Sequence, residues 1–279
     1  MTASSGGRYA VFGNPVSHSK SPRIHTLFAQ QFDIELEYIA IEAPLDDFAG
    51  AVHRFRHEGG KGCNVTVPFK HAAWELADRR SGRAELAGAL NTLRFEDNGE
   101  IFGDNTDGIG LVRDITVNLD ARLYDQRVLV VGAGGAVRGI LGPLLEQAPR
   151  ELAVANRTAA RALELAQVFA TVGPIHPSSL EGIAGREFDL VINGTAASLT
   201  GNVPELPDGL FAPGALAYDL MYSDDGTPFL DWARECGAGR LVDGLGMLVE
   251  QAAESFALWH GLHPDTGPVI RALRPVATD

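Results

Sequence analysis

The sequence predicts an α/β protein of two units, a mixed α/β unit followed by a doubly wound βαβ unit, with a last helix that returns to the first. Three observations lead there. Short β-rich runs alternate with amphipathic helical stretches along the chain, the pattern of folds with parallel sheets. One of those runs passes straight into the glycine-rich turn Gly132-Ala133-Gly134-Gly135-Ala136, and a helix follows. The length, 279 residues, suits one large domain or two modest ones.

The first strand is Arg8–Phe12. Ser21-Pro22 opens a helix, with serine as the cap and proline at the first helical position. Ile24, Leu27, Phe28 and Phe32 then share a helical face. Leu36–Ile41 is a second strand. Asp46 caps a helix carrying Phe48, Val52 and Phe55, and Gly62–Val67 is a third strand stopped by Pro68. Ala89–Phe95 and Ile101–Phe102 flank Asp97-Asn98-Gly99, a hairpin turn signal.

The second unit opens with a helix near Thr106–Val117. Strand Arg127–Val131 leads into the glycine turn and a helix with Val137, Ile140, Leu141 and Leu144 apolar. Strand Glu151–Ala155, helix Ala159–Phe169 and strands Asp189–Ile192 and Ala215–Leu220 continue the series. The chain ends with helix Met247–His260 and a proline-containing tail.

Composition narrows the function. Apolar residues are 45% and charged residues 21%, ordinary for a globular protein. No apolar run reaches the roughly 18 residues of a membrane helix, and Met1–Arg8 does not read as a secretory signal. A net charge of -13 argues against nucleic acid as a partner. Two cysteines, Cys63 and Cys236, form no disulfide framework, so a cytoplasmic location is expected. His18, His25, His53, His57, His71, His176, His260 and His263 show no ligand grouping, and no metal is expected. Only three of the 23 basic residues are lysine, Lys20, Lys61 and Lys70, so a lysine is not this chain's habitual cation.

A glycine-rich turn between strand and helix lets backbone N–H groups and the helix N-terminus face a pyrophosphate. Gly132 and Gly134 match the first two glycines of the dinucleotide fingerprint, while Val137 stands in the third place. A tight turn with no ligand would also carry these glycines. An NAD site wants a carboxylate about 20 residues on, for the ribose hydroxyl. Here Asn156-Arg157-Thr158 stands there, with Arg161 one helical turn later. Two guanidiniums at a helix start are unfavourable against its dipole unless an anion sits there. They suit a 2′-phosphate, hence NADP.

Polar residues also gather where the first unit's strands end: Ser19, Ser21, Asn64, Thr66, Lys70, Asn91 and the run Asp104-Asn105-Thr106-Asp107. Such a set would suit a small polyhydroxylated acid at the carboxyl ends of strands. Helix capping, backbone satisfaction and a surface lysine would explain the same residues.

Several of these stretches together resemble the shikimate dehydrogenase family. They are Val11-Phe12-Gly13-Asn14-Pro15 with His18-Ser19-Lys20-Ser21-Pro22, Asn64-Val65-Thr66-Val67-Pro68-Phe69-Lys70, Gly88-Ala89-Leu90-Asn91-Thr92 and Gly103-Asp104-Asn105-Thr106-Asp107-Gly108. The glycine turn, Asn156-Arg157-Thr158, Asp219-Leu220-Met221-Tyr222 and Gly244-Leu245-Gly246-Met247-Leu248 with Gln251 complete the series, in order over nearly the whole chain. The resemblance implies an N-terminal substrate domain (1–106), a Rossmann-type NADP domain (107–244) and a C-terminal segment (245–279) returning to the first. It implies Lys70 and Asp107 as the catalytic pair. Ser19, Ser21 and Tyr222 would hold a substrate carboxylate, and Thr66, Asn91, Asp107 and Gln251 the ring hydroxyls. Gly132, Ala133, Gly134, Gly135, Ala136, Asn156, Arg157, Thr158 and Arg161 would hold NADP, with Leu220 and Gly244 near the nicotinamide. Two departures stand out: Asn193-Gly194-Thr195-Ala196-Ala197-Ser198 is looser than the family's Asn-x-Thr-Ser or Asn-x-Thr-Pro, and Leu220 replaces a common methionine at similar volume.

The implied reaction is the reversible, NADPH-dependent reduction of 3-dehydroshikimate to shikimate, in a monomer or homodimer. Other readings are a quinate/shikimate or aminoshikimate dehydrogenase on the same fold, a methylene-tetrahydrofolate dehydrogenase, and a non-catalytic NADP-binding sensor. The last would have no use for Lys70 with Asp107.

Overall fold

The computed structural model describes residues 6–195, 197 and 201–274. The chain forms two compact units: the first runs to Gly110 and resumes over Val249–Leu273, and the second spans Leu111–Leu248.

The first unit contains β1 (Arg8–Gly13), α1 (Ser21–Gln30), β2 (Glu37–Glu42), α2 (Phe48–His57), β3 (Gly60–Val65), α3 (Lys70–Leu76), β4 (Arg79–Arg80), α4 (Gly82–Ala87), β5 (Thr92–Phe95) and β6 (Ile101–Asp104). Its sheet runs β2-β1-β3-β5-β6-β4. β1 is parallel to β2 and β3, while β5 is antiparallel to both β3 and β6. β5 and β6 form the hairpin expected around Asn98-Gly99. Phe12 packs edge-on against Phe48 and Phe55, at 6.1 and 5.7 Å between ring centres, in a core with Leu90 and Leu93.

Departures from the sequence-based expectations here have local causes. The Lys20 carbonyl accepts the first helical bond of α1, from Ile24 N–H at 3.0 Å, so Lys20 takes the cap position and Ser21 lies inside the helix. Lys20 makes no side-chain cap bond; Ser19 Oγ instead accepts from Ser21 N–H, the first of α1, at 3.3 Å. Asp47, not Asp46, caps α2 by accepting from Gly50 N–H at 3.2 Å. β3 ends at Val65, short of Thr66.

The second unit takes up α5 (Asp107–Arg113) from Leu111 and continues it into one π-helical turn, Asp114–Asn118. Then come β7 (Arg127–Val131), α6 (Gly135–Glu146), β8 (Glu151–Ala155), α7 (Ala159–Val168), β9 (His176–Ser178), β10 (Phe188–Asn193), β11 (Phe211–Asp219), α8 (Pro228–Glu235) and β12 (Arg240–Val242). All six strands are parallel, in the order β12-β11-β10-β7-β8-β9. Strand order therefore reverses between β7 and β10, where open α/β sheets bind ligands. Val128, Leu129, Val130 and Val131 of the central strand are completely buried, as a two-face-covered parallel strand requires.

The chain closes with α9 (Leu245–His260) and α10 (Thr266–Leu273), the latter where the sequence suggested only a tail. No helix among the described residues is long and apolar enough to cross a membrane.

Candidate active site

In the first unit, Lys70 is the first residue of α3 and its Nζ donates to Asp107 Oδ2. The Lys70 side chain is 19% exposed and that of Asp107 only 7%, so the ion pair is shielded from water on most sides. Asp107 begins α5, and its N–H donates to Asn105 Oδ1 at 3.2 Å. Its second oxygen, Oδ1, accepts from Asn91 Nδ2 at 2.8 Å. The same amide nitrogen donates to Gln251 Oε1 on α9 at 3.1 Å. A Cβ on Gly110 would stand 2.7 Å from the Gln251 backbone nitrogen, so the glycine lets α9 approach this close. Lys70, Asp107, Asn91 and Gln251 thus form one connected group.

Ser19 and Ser21 follow β1, and Thr66 follows β3, its parallel neighbour, so all three stand at the same carboxyl edge of the sheet. Thr66 N–H donates to Phe12 O at 2.8 Å. Ser21 is buried and Ser19 half-buried. Tyr222 lies in the second unit, three residues past β11. It is half-buried; burial raises its pKa, and Asp224 adds to that.

The sequence did not reveal the contacts that support this group. Asp104, almost completely buried, accepts from Arg83 Nε at 2.7 Å and from Ser81 Oγ at 2.5 Å, which anchors the strand end ahead of Asn105 and Asp107. Thr92, Ser255 and Tyr38 also reach the group through buried hydrogen bonds. No periodicity marks these partners, because the contacts join distant parts of the chain.

In the second unit the glycine turn has the features a dinucleotide needs. Gly132 has φ 109°, a conformation that favours glycine, and its N–H donates to Ala155 O at 2.8 Å. A Cβ on Gly134 or Gly135 would meet nothing within 4 Å. No side chain caps α6 and no acid stands in its first turn. The helix start from Gly134 through Ala136 therefore presents open N–H groups beside free space, which fits a pyrophosphate.

The end of β8 fits the other phosphate. Arg157 and Arg161 are exposed, and among the described residues neither forms an ion pair, whereas nearby Arg138 is paired to Glu164 at 2.6 Å. α7 likewise has no side-chain cap on Thr158 and no acid in its first turn. Asn156 Nδ2 donates to Thr158 O at 2.9 Å and so braces the loop between them. Leu220 N–H donates to Asn193 O and Gly244 N–H to Met221 O, each at 2.9 Å; a Cβ on Gly244 would stand 2.3 Å from Leu220 O. Those contacts bring together the two positions expected near the nicotinamide. Of the loop that departs from the family's pattern, Ala196 and Ser198 lie outside the described residues.

Three family models match the chain in succession. The shikimate dehydrogenase substrate binding domain covers residues 11–93, shikimate / quinate 5-dehydrogenase covers 115–200, and the shikimate 5'-dehydrogenase C-terminal domain covers 244–274. The shikimate dehydrogenase (NADP(+)) of Alkalilimnicola ehrlichii is 57% identical over 96% of this chain and 98% of its own. The crystal structure of an Ael1 enzyme from Pseudomonas putida superposes with a TM-score of 0.89 at 52% identity, covering 98% of this chain and all of that one. The shikimate 5-dehydrogenase of Thermus thermophilus, solved in complex with NADP(H) and shikimate, gives 0.83 at 35% identity, covering 95% and 97%.

Proposed function

The chain belongs to the shikimate dehydrogenase family, and from that premise we propose that it reduces 3-dehydroshikimate to shikimate, reversibly, with the first unit holding the substrate and the second NADP. The observation that carries this is the Lys70–Asp107 pair. It places one of only three lysines against a buried carboxylate, within a cluster of amides and hydroxyls at a sheet's carboxyl edge.

NADPH, when bound, supplies the hydride. Gly132 to Ala136 receive its pyrophosphate, and Asn156, Arg157, Thr158 and Arg161 its 2′-phosphate. Ser19 and Ser21, with Tyr222, hold the substrate carboxylate by hydroxyl donation. Thr66, Asn91, Asp107 and Gln251 bind the ring oxygens. Lys70 Nζ then donates toward the oxygen on which negative charge develops, and Asp107 holds that ammonium in place. In the oxidative direction the pair receives the proton from the substrate hydroxyl. Cys63 and Cys236 are free thiols, which suits the cytoplasm.

The test is an assay of NADP and NAD reduction with shikimate, with quinate and with neither, run on the wild type and on Lys70→Ala. Shikimate with NADP is the expected pair. Lys70→Ala is expected to lower kcat at least ~10²-fold. A variant with near-normal kcat removes Lys70 from the chemistry, and equal turnover of quinate favours the quinate/shikimate reading.

A further inference from the structure

We propose that a one-way chain of buried hydrogen bonds, Tyr38 to Asn64 to Thr92 to Asn91 to Asp107, orients the Asp107 carboxylate, and that Thr92, supported by Ser255, is a positioning residue for the reaction; this rests on the reading of Lys70 and Asp107 as the proton-handling pair.

The direction of each bond follows from backbone groups whose role is fixed. Thr106 N–H lies 2.9 Å from Asn91 Oδ1, so that atom is the carbonyl oxygen, and Nδ2 is the one aimed at Asp107. Thr92 Oγ1 is 3.0 Å from the same Oδ1, an acceptor, so the threonine hydroxyl donates to it. One of its lone pairs then faces Asn64 Nδ2 at 3.1 Å, while Ser255 Oγ, 2.7 Å away, accepts from the same Asn64 Nδ2 at 2.9 Å and shares its single hydrogen between Thr92 Oγ1 and the Gln251 carbonyl. Asn64 Nδ2 also lies 3.2 Å from the backbone carbonyl of Asn91, which marks it as the donor side. Asn64 Oδ1 accordingly accepts from the Tyr38 hydroxyl at 2.7 Å.

Every hydrogen in the chain therefore points toward Asp107, and aligned bonds of this kind polarise and strengthen one another at low dielectric. Thr92 and Ser255 are completely buried, and Asn64 and Asn91 nearly so, so water cannot take the place of a missing member. β3 and β5 pair Asn64 directly with Thr92, which sets that link by strand register. Ser255 sits one turn beyond Gln251 on α9, and its Oγ lies 3.1 Å from Gln251 O. The chain, with Ser255, thus ties β2, β3, β5 and α9 to the oxygen of Asp107 that Lys70 does not use.

Thr92→Val removes the donor to Asn91 at nearly constant volume. It is expected to lower kcat about tenfold, the scale of one lost oriented hydrogen bond, with KM for NADP unchanged. Thr92→Ser, which keeps the hydroxyl, should stay within twofold of wild type, and Thr92→Val should add less than twofold on an Asp107→Asn background. Ser255→Ala is the second probe should Thr92→Val not fold, with an expected loss of a few fold in kcat at unchanged KM for NADP. Wild-type kcat in a folded Thr92→Val protein overturns the proposal, as does a Thr92→Ser loss equal to that of Thr92→Val, or a full tenfold loss on the Asp107→Asn background. Lys70→Ala and Asp107→Asn, measured alongside, report on the underlying pair: normal kcat in both defeats that reading, whereas their collapse beside a silent Thr92→Val defeats the chain alone.

Discussion

A Cβ on Gly194 would stand 2.5 Å from Cγ2 of Val137, so the valine occupies the space that a side chain after β10 would need. Val137 is completely buried and stands in the third place of the dinucleotide fingerprint, where glycine usually allows a helix to pack closely on the sheet. Here the missing volume has moved to the facing strand. Gly194→Ala is therefore expected to destabilise the protein by about 1–3 kcal/mol through overpacking and to raise KM for NADP. Adding Val137→Ala should recover part of that loss, since the pair is in contact and couples. Thermal or denaturant unfolding of the three variants checks this, and additive losses would refute it.

That exchange shows what the sequence could and could not reveal. The strand Arg127–Val131 and its glycine turn were legible because a short apolar run and its punctuation are local signals. The compensating Gly194 was not, since it lies more than fifty positions away and pairs with Val137 only through the fold. Helices α3, α4 and α8 escaped for a related reason: at seven, six and eight residues they are too short for periodicity, and α4 and α8 depend on the caps Ser81 and Thr227. At the site, Lys70 and Asp107 could be named from residue type and position. Thr92 and Ser255 could not, because a threonine in a strand is unremarkable until a serine 163 residues later meets it.

Ser21 tests binding separately from stability. A lost side-chain cap costs roughly 1 kcal/mol, but the Ser21 side chain does not cap α1. Alanine also suits a helical position. Ser21→Ala should therefore shift the unfolding free energy by less than ~1 kcal/mol while raising KM for shikimate at least ~10-fold, as expected for one lost bond to a charged carboxylate. A collapse of kcat at constant KM would count against ground-state carboxylate binding.

His25 gives the fold a pH dependence whose sign is fixed. Its ring is completely buried, stacked on Tyr38 at 4.3 Å between centres, and neither ring nitrogen finds a hydrogen-bond partner of good geometry. Burial holds its pKa down to about 3, with Asn64 pulling weakly the other way. In the unfolded chain the value is about 6.5. Between those values the unfolded state binds the extra proton, so stability is full above pH 6.5 and falls with acidification. From pH 6.5 to 4 the loss assigned to this residue is about 3 kcal/mol. Denaturant unfolding at several pH values should show a shallower acid loss for His25→Phe than for wild type, with the two converging in slope above pH 7. Parallel curves down to pH 4 would exclude His25 as the source.

Arg157 is the residue on which the proposed cofactor choice is tested. It and Arg161 stand exposed at the start of α7, with no carboxylate partner among the described residues and no acid in the helix's first turn. Two guanidiniums against the positive end of a helix are held there at a cost unless an anion joins them. NADP brings a 2′-phosphate to that place; NAD brings a hydroxyl. Each charge-assisted hydrogen bond is worth about 1.5–3 kcal/mol, and about 1.4 kcal/mol is tenfold. The two arginines together therefore predict a preference for NADP of at least ~10²-fold in kcat/KM. Arg157→Asp should erode that preference from both sides, because it removes a donor to phosphate and supplies an acceptor for the ribose hydroxyl. The preference should also narrow at high salt, where exposed charges are screened over about a Debye length. Steady-state kinetics with both cofactors at two ionic strengths measure all three effects. Equal kcat/KM for NAD and NADP in the wild type would mean that the arginines do not clamp the phosphate.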